Sequence, residues 1–376
     1  MGRVGGNDRA RARDPHRLPR ARGGGRVSTE PGAVIRVVVI GGGASSEHEV
    51  SLASAAAIAA ALDPARFDVV SLTIRTDGSW AGADGRPLPG DLAGAVAILE
   101  RADAAIPALH GPRGEDGTLA ALLDLVGVPY VGSGVEAGAV AMSKSVTKLI
   151  AAAAGVASTP GFVVADASAP ILAEAALPAI VKPDRAGSSH GVAVARTRAE
   201  LTEAVRAALA LDERVLVERF VRGREIDVAV IEHPDGRLEA LPPLEIVVPE
   251  GAVFDAESKY EREPDFRVPA PVDDALGGAL EAAALAVFRA VGARGLARVD
   301  FFATGDGLLL NEINTFPGFT RRSQVPRMAA AAGIDYPTLV ELLLTTALTR
   351  AEPHRVRRRL GTTTQHTATR ESAPVA

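Results

Sequence analysis

Four polar side chains interrupt two apolar segments near the C-terminal end of the sequence, and their types suit them to charge chemistry. Arg298 and Asp300 alternate in one segment, and Glu312 and Asn314 alternate in the next. Two carboxylates and an amide oxygen suit Mg²⁺ or Mn²⁺, and such an ion typically also holds a nucleotide phosphate. The alternative is a buried network of an arginine and carboxylates without metal, since buried charge costs several kcal/mol unless it is compensated.

The elements around these residues predict that the side chains converge. Residues 298–302 and 308–314 read as apolar strands, and the intervening Thr304-Gly305-Asp306-Gly307 is typical of a hairpin turn. Folding about that turn sets Asp300 opposite Glu312. Because side chains alternate along a strand, the four polar residues then share one face of the hairpin.

Composition excludes several function classes. The chain has 376 residues, of which 47% are hydrophobic and 23% are charged, which is enough for two or three domains with cores. The net charge of -5 argues against nucleic acid as a partner of the whole chain. The sequence has no cysteine, which excludes disulfides, zinc–thiolate sites and thiol nucleophiles. No apolar stretch reaches the ~18 residues of a membrane-spanning helix.

The order of predicted elements divides the chain into five parts and predicts a mixture of α/β and α+β structure. Residues 1–32 are Arg/Gly-rich and are expected to be a disordered tail. Alternating strands and helices predict a parallel α/β domain over 33–133. That domain is expected to end with a short strand over 128–131. Residues 134–222 predict a small α+β domain that begins with a helix over 142–155. Residues 223–350 predict antiparallel strands, a long helix, the hairpin and a final helix, followed by a second disordered tail over 351–376.

Lysine is rare in this chain. Lys and Arg total 41, and the only lysines are Lys144, Lys148, Lys182 and Lys259. A lysine kept in such a background is expected where a compact, flexible ammonium is needed, as at a phosphate. For Lys148, retention by chance is the favoured interpretation.

Several loop residues are candidates for binding. Lys182 ends a predicted strand and precedes the loop 187–191, whose hydroxyls and free amides can fold over phosphates. Glu218 and Glu225 lie near the end of another strand and can accept hydrogen bonds from an adenine amine or ribose hydroxyls. His110 follows a parallel strand, at the sheet edge where ligands bind, and is expected to position a substrate.

Together these segments resemble the D-alanine–D-alanine ligase family, which has the ATP-grasp fold. The resemblance runs in order from about Val37 to Leu344 and covers most of the chain. The motifs are Gly41-Gly42-Gly43-Ala44-Ser45-Ser46-Glu47-His48-Glu49-Val50-Ser51, Leu109-His110-Gly111 through Glu115-Asp116-Gly117, Lys182-Pro183 through Gly187-Ser188-Ser189, Ser258-Lys259-Tyr260, and Arg298-Val299-Asp300 through Asn311-Glu312-Ile313-Asn314-Thr315.

The resemblance implies an architecture and a reaction. An N-terminal parallel α/β domain would bind substrate, a small central domain would act as a lid, and a C-terminal mixed α+β domain would be catalytic. ATP would phosphorylate the carboxylate of one D-alanine, and the amine of a second would attack the acylphosphate, giving a dipeptide for peptidoglycan synthesis. It further implies a cytoplasmic homodimer that acts on small molecules, with no nucleic-acid or membrane partner.

The resemblance also implies roles in nucleotide and metal binding. Phosphate binding would fall to Lys144, Lys182 and Lys259, and Ser189 would also contact the nucleotide. Glu218 and Glu225 would hold the adenosine. Two Mg²⁺ or Mn²⁺ ions would be held by Asp300, Glu312 and Asn314.

For the amino-acid substrates, Glu47 would hold the first ammonium group, and Ser188 and Tyr260 would close the lid through hydrogen bonds with Glu47. Arg298 and the Gly318 amide would stabilise the oxyanion. The substrate-binding residues would be His110, Ser323 and Gln324. Ser323 would bind the carboxylate of the second substrate, and Gln324 would lie against the pocket for that substrate.

Some positions depart from the family pattern. Ser143 stands where the family usually has Asp, and His190 replaces a small apolar residue. Arg321, Arg322 and Gln324 surround Ser323. These changes leave open an ATP-grasp ligase whose second substrate is another amino acid or a hydroxy acid. A nucleotide-binding regulator without turnover is the alternative from another class.

Overall fold

The computed structural model describes residues 34–247 and 265–363, with side chains as far as residue 351. The predicted tail over 1–32 lies outside the described residues, and so do Lys259 and Tyr260. Within the described residues, no helix has the length and apolar character needed to cross a membrane.

Strands and helices are interspersed along the described residues, and within 215–267 the described residues contain five successive strands. The strands are β1 Ile35–Gly42, β2 Phe67–Ile74, β3 Trp80–Gly82, β4 Ala104–Pro107, β5 Gly161–Val164, β6 Ala179–Pro183, β7 Ala193–Ala195, β8 Val215–Arg219, β9 Arg224–Glu232, β10 Leu238–Ala240, β11 Leu244–Val247, β12 Asp265–Arg267, β13 Leu296–Thr304 and β14 Gly307–Asn314. The α-helices are α1 His48–Ala61, α2 Leu92–Leu99, α3 Thr118–Val126, α4 Val135–Met142, α5 Lys144–Ala153, α6 Arg198–Leu209, α7 Asp274–Ala290, α8 Gln324–Ala331 and α9 Tyr336–Thr363. A 3₁₀-helix covers Pro170–Glu174.

The first sheet has the order β3-β2-β1-β4, and β1 pairs in parallel with β2 and β4. Its central strand is apolar on both sides because both faces are covered. Val38 and Ile40 pack on one side with Leu72. Val37 and Val39 pack on the other, in a core that also contains side chains of α1, α8 and α9. The predicted parallel α/β arrangement is confirmed.

The second sheet has the order β5-β8-β6-β7 and is antiparallel. Val181 and Val217 face a small core with the α6 residues Leu201 and Val205. Because successive side chains alternate along a strand, Lys182 and Glu218, each one position after a core valine, point to the opposite face. That face is the one that carries the charged residues.

The third sheet has the order β12-β11-β9-β13-β14, with β10 also on β9. The predicted hairpin is confirmed, with Asp300 opposite Glu312 and Arg298 opposite Asn314. Between these polar positions, Val299 and Ile313 point to the other face and join a core with α7. The sheet therefore has an apolar face against a helix and a polar face that carries the four residues.

Three predicted elements differ in the structure. The predicted helix over 142–155 does not start at residue 142, because α4 and α5 separate at Ser143, whose backbone is extended with ψ 102°. Residues 128–131 form only a single bridge, between Tyr130 and Ala105, rather than a strand. The last helix continues to Thr363, so the predicted tail boundary after residue 350 falls inside a helix.

Two helical glycines provide a test of the packing. A Cβ at Gly138 in α4 would lie 2.7 Å from the Glu115 carbonyl oxygen and 2.7 Å from the Gly117 nitrogen, whereas a Cβ at Gly278 in α7 would meet nothing within 4 Å. We expect Gly138→Ala to lower the free energy of unfolding by about 1–3 kcal/mol, because backbone must move. The control Gly278→Ala should raise it by about 0.5–1 kcal/mol through helix propensity. Urea denaturation measures both, and equal effects would contradict the close approach at Gly138.

Candidate active site

Three adjoining cavities lie along the polar faces of the second and third sheets. Cavity A is lined by Lys144, Thr159, Lys182, Ser189, Glu218 and Glu312, among others. Cavity B is lined by Ser189, Glu225, Asp227, Arg298, Asp300 and Gln324, among others. Cavity C is lined by Glu47, His110, Glu115, Ser188, Gly318 and Ser323, among others. Glu312 lines both A and B, and Arg298 lines both B and C, so the three form one continuous region.

Arg298 and Asp300 form a two-pronged ion pair on the polar face of β13. Arg298 Nε and Nη2 each donate to a separate oxygen of Asp300, both over 2.7 Å. Asn314 Nδ2 donates to Asp300 Oδ2 over 2.9 Å, and Asp227 Oδ2 lies 3.5 Å from Arg298 Nε. Burial alone would lower the pKa of Arg298, but the carboxylates of Asp300, Asp227 and Glu312 raise it. The arginine is therefore a permanent buried cation.

Glu312, on the neighbouring strand, contacts a lysine. Lys144 Nζ lies 3.2 Å from Glu312 Oε2 and donates to the Ala186 carbonyl over 2.5 Å. Lys144 is the first residue of α5, directly after the break at Ser143. The helix start thus carries an ammonium group to the predicted metal ligand.

Asp184 holds the start of α5 in place. This fully buried carboxylate accepts from Ser143 Oγ over 2.7 Å and from the Ser145 backbone N–H over 2.8 Å. The Lys144 backbone N–H donates to the Asp184 carbonyl over 3.0 Å. Asp184 follows β6, two residues after Lys182, so it ties the helix of one lysine to the strand of the other.

Glu218 on β8, at cavity A, forms ion pairs with two lysines. Lys182 Nζ lies 2.7 Å from Glu218 Oε2, and Lys148 forms an ion pair with Glu218 Oε1. Burial would raise the pKa of Glu218, but the two ammonium groups lower it below its ordinary value. Burial, with help from Lys182, lowers the pKa of Lys148 to about 8, and Glu218 opposes the shift. Chance retention of Lys148 is therefore the wrong interpretation, since its side chain is buried beside a predicted nucleotide ligand.

Glu47 and Ser188 meet at the edge of cavity C. Glu47 immediately precedes α1 and makes no capping hydrogen bond with its side chain. Its Oε1 accepts a hydrogen bond from Ser188 Oγ. Ser188 and Ser189 both have positive φ, 52° and 56°, which turns the loop back over the cavities. The contact that the resemblance implies between Glu47 and Ser188 is thus present.

His110 is engaged with protein at both ring nitrogens. Nδ1 lies 2.9 Å from the Phe316 carbonyl, and Nε2 lies 3.1 Å from Ser54 Oγ. Ser54 Oγ also accepts from the Phe319 backbone N–H over 3.2 Å. These contacts fix the segment around Gly318 against the first sheet, so His110 orders the cavity wall.

Ser323 and Gln324 form another part of the wall of cavity C. Ser323 Oγ accepts from the Thr320 backbone N–H over 3.0 Å. Gln324 Nε2 donates to Asp227 Oδ2 over 2.7 Å. The Gln324 amide nitrogen is thus directed toward the third sheet.

Glu115 adds an acid to cavity C for which the sequence predicted no role. Burial raises its pKa to about 8, helped by the carboxylates of Glu47 and Glu312 and opposed by Arg298. The loop that carries it packs against Gly138 of α4. Most of this acid is therefore protonated at neutral pH.

The predicted metal ligands fit a divalent ion in their chemistry. Asp300, Glu312 and Asn314 supply oxygen donors from adjacent strands on one face, and each carboxylate already contacts a cation. In the part of the chain that the structure describes, no three His, Cys, Asp or Glu side chains are grouped as a metal site. A divalent ion here would therefore be held by two carboxylates and one amide. The alternative from the sequence, a buried network of an arginine and carboxylates, is present in the structure.

Sequence reasoning missed four residues of this region: Lys148, Thr159, Asp227 and Glu115. Thr159 Oγ1 is buried at cavity A with no hydrogen-bond partner among the described residues. Asp227 lies directly opposite Asp300, on β9. A signal existed for Asp227, since it interrupts the apolar strand 226–231 two positions after Glu225. For Lys148 the signal was its rarity.

Comparisons with known proteins give a consistent picture. The family model described as "D-ala D-ala ligase N-terminus" matches residues 36–133, and "D-ala D-ala ligase C-terminus" matches residues 162–345. The D-alanine–D-alanine ligase of Mycobacterium ulcerans is 41% identical over 86% of this chain and 98% of its own length. That of Mycolicibacterium smegmatis is 44% identical over 84% of this chain and 96% of its own.

Two solved structures have a similar fold. The VanG D-Ala:D-Ser ligase from Enterococcus faecalis matches with a TM-score of 0.75 and 29% identity, over 84% of this chain and 100% of that one. The D-alanine–D-alanine ligase from Bacillus anthracis complexed with ATP matches with a TM-score of 0.72 and 26% identity, over 85% of this chain and 100% of that one.

The raised pKa of Glu115 predicts a pH dependence of stability. The folded state keeps the proton up to about pH 8, whereas the unfolded chain loses it near its ordinary pKa of about 4.3. The free energy of unfolding should therefore fall as the pH rises from about 5 to 8, relative to Glu115→Gln. Urea denaturation across this range measures the difference.

Glu136→Gln, which removes an exposed carboxylate at the start of α4, is the control for this experiment. It should keep the pH dependence of the unaltered protein. Parallel curves for Glu115→Gln and the unaltered protein would show that Glu115 is ionised in the folded state.

Proposed function

Because the chain belongs to the D-alanine–D-alanine ligase family, we propose that it uses ATP to join two D-alanines into D-alanyl-D-alanine for peptidoglycan precursor synthesis. The observation that carries the proposal is the adjacency of the three cavities. Lysines and Glu218 line cavity A, acidic groups and Arg298 line cavity B, and Glu47 and Gly318 line cavity C. A nucleotide, its terminal phosphate and an amino acid would meet in that order.

The nucleotide would occupy cavity A. Lys144 and Lys182 would bind phosphates, since each presents a compact ammonium from an ordered element. Glu218 would hold the adenosine in cavity A, and Ser189 would contact the nucleotide from the loop. The same role for Glu225, which lines cavity B, is proposed on the resemblance alone. Lys148 would keep Glu218 ionised when Lys182 turns to a phosphate. Lys259 is proposed for the terminal phosphate on the resemblance alone.

Asp300, Glu312 and Asn314 would hold two Mg²⁺ or Mn²⁺ ions. Bound divalent ions would supply positive charge to the transferring phosphoryl group. Arg298 and Lys144, which now contact the two carboxylates, lie close enough to share that charge.

The first D-alanine would lie in cavity C with its ammonium group on Glu47. Its carboxylate oxygen would form a bond to the terminal phosphorus of ATP, and the bond from that phosphorus to the bridging oxygen would break and release ADP. Ser188, already bonded to Glu47, would close the loop and exclude water, which would otherwise hydrolyse the acylphosphate. Tyr260 is proposed to join this closure on the resemblance alone.

The neutral amine of the second D-alanine would then attack the acyl carbon. Arg298 and the Gly318 amide would stabilise the oxyanion, a contribution of about 10²–10³ in rate per donor. The bond from carbon to the phosphate oxygen would break, phosphate would leave with the electron pair, and the amine would lose a proton to that phosphate. Ser323 would bind the second carboxylate, and His110 would order the surrounding wall.

We further propose a cytoplasmic homodimer that acts on small molecules alone. The resemblance supports the dimer and the absence of nucleic-acid and membrane partners. The use of ATP supports the cytoplasmic location.

The direct test incubates the purified full-length chain with ATP, Mg²⁺ and D-alanine. We expect phosphate release together with a product of the mass of D-alanyl-D-alanine. D-Serine and D-lactate, each added with D-alanine, test other acceptors. Phosphate release only when such an acceptor is present would favour a different second substrate, and ATP binding without turnover would favour a regulator.

Asp300→Asn tests the metal assignment. It should lower kcat by at least about a hundredfold, because a charged oxygen ligand is lost at the phosphoryl group. The fold should persist, since Asn can still accept a hydrogen bond from Arg298, and circular dichroism checks this.

Asp306→Asn, in the exposed turn of the same hairpin, is the matched control and should keep the activity of the unaltered protein. The Mg²⁺-dependent part of the thermal stabilisation by ATP should disappear only in Asp300→Asn. Near-normal turnover of Asp300→Asn would show that the metal assignment is wrong.

A further inference from the structure

Arg298 lies between two carboxylates that come from different strands. Asp300 binds it from two positions along β13, through two bonds of 2.7 Å. Asp227 approaches from β9, with Oδ2 at 3.5 Å from Nε. Asp227 and Asp300 are direct partners in the antiparallel register. The guanidinium thus has one tight carboxylate contact and one looser contact.

The two tasks of Asp300 compete. A carboxylate that gives both oxygens to a guanidinium has fewer lone pairs left for a metal ion. If a divalent ion takes an oxygen of Asp300, a buried Arg298 loses part of its compensation, which is costly. A second carboxylate that does not ligate the metal removes this conflict, and Asp227 is placed to be that group.

Gln324 orients Asp227. It is the first residue of α8, and its Nε2 donates to Asp227 Oδ2 over 2.7 Å. The same oxygen faces Arg298 Nε. Asp227 is buried, with 2% of its surface exposed, so a fixed donor has a large effect on where its charge lies.

We propose that Asp227, oriented by Gln324, is the positioning residue for the Arg298 guanidinium and leaves Asp300 available to a divalent cation. The inference rests on the proposed function for the presence of that cation. It assigns Gln324, which departs from the family pattern, to the arginine and not to the choice of the second substrate. Gln324 is therefore compatible with D-alanine as the acceptor.

The experiment titrates Mn²⁺ into the full-length protein with ADP and follows free Mn²⁺ by electron paramagnetic resonance. Asp227→Asn should raise the dissociation constant of Mn²⁺ by at least about tenfold, as expected for a group that supports a metal ligand. Glu245→Gln is the matched control. It removes a buried carboxylate on β11 that pairs with Arg224 over 2.7 Å and is not at the cavities, so Mn²⁺ affinity should not change.

Gln324→Leu distinguishes positioning from the loss of a charge. This variant keeps every charge. If Asp227 acted on Mn²⁺ through its charge alone, the dissociation constant of Mn²⁺ would not change in Gln324→Leu. Positioning predicts weaker Mn²⁺ binding in Gln324→Leu, and little further loss when Asp227→Asn is added. Thermal unfolding of each variant confirms that it is folded, and Asp227→Glu, which keeps the carboxylate, should recover part of the affinity.

Acceptor preference gives a second readout. The ratio of kcat/KM for D-alanine over D-serine as acceptor should be the same in Gln324→Leu as in the unaltered protein. A changed ratio with unchanged Mn²⁺ affinity would assign Gln324 to the acceptor and overturn the inference.

Failure of the inference and failure of the proposed function are distinguishable. Dipeptide formation with unaltered Mn²⁺ affinity in both variants would overturn the inference alone. Weaker Mn²⁺ binding in both variants, without ligation of any amino acid tested, would overturn the proposed function and support the inference.

Discussion

A buried guanidinium flanked by carboxylates is the contact on which the polar face of the third sheet depends. Three neighbouring strands bring Asp227, Asp300 and Glu312 to one face, and mutual repulsion would oppose that arrangement without a cation among them. Arg298 compensates two of them within 3.5 Å, and Lys144 meets the third. The pairing of these charges therefore requires the observed strand register, because a slip of one residue would move the charged side chains to the apolar face of the sheet.

The second sheet meets the same requirement with a different cation. Glu218 is buried and pairs with two ammonium groups rather than one guanidinium. An ammonium on a flexible stem can leave one partner for another, whereas the planar fork of arginine is best kept in a single geometry. Two lysines on one carboxylate mean that one can move to a ligand while the other stays.

Local patterns were enough to predict much of the fold. The apolar segments and the Gly305-Asp306 turn predicted the hairpin and the pairing of Asp300 with Glu312. In the structure that pairing also depends on a register shift between Asp300 and Phe301, which the sequence did not predict. Alternating strands and helices gave the parallel sheet. The break at Ser143 could not be predicted, because the carboxylate that receives its hydroxyl comes from Asp184, 41 positions along the chain.

The missed site residues have the same explanation. Asp227 contacts Arg298 only after β9 pairs with β13. Lys148 reaches Glu218 only after α5 has packed on β14 of the third sheet. No local spacing encodes these contacts, which depend on the order of strands in the sheets. The family resemblance supplied roles for single residues, but the partners of each became visible in the tertiary structure.

Asp184 fixes the distance between the backbone positions of Lys144 and Lys182. Its carboxylate receives the first turn of α5, and its own backbone continues the strand that ends with Lys182 and Pro183. The bases of the two long cationic side chains are thus joined through a group with no access to solvent. The backbone positions of Lys144 and Lys182 are therefore fixed relative to each other before an anion binds. Binding of a polyanion then requires only the ends of the two side chains to reorient.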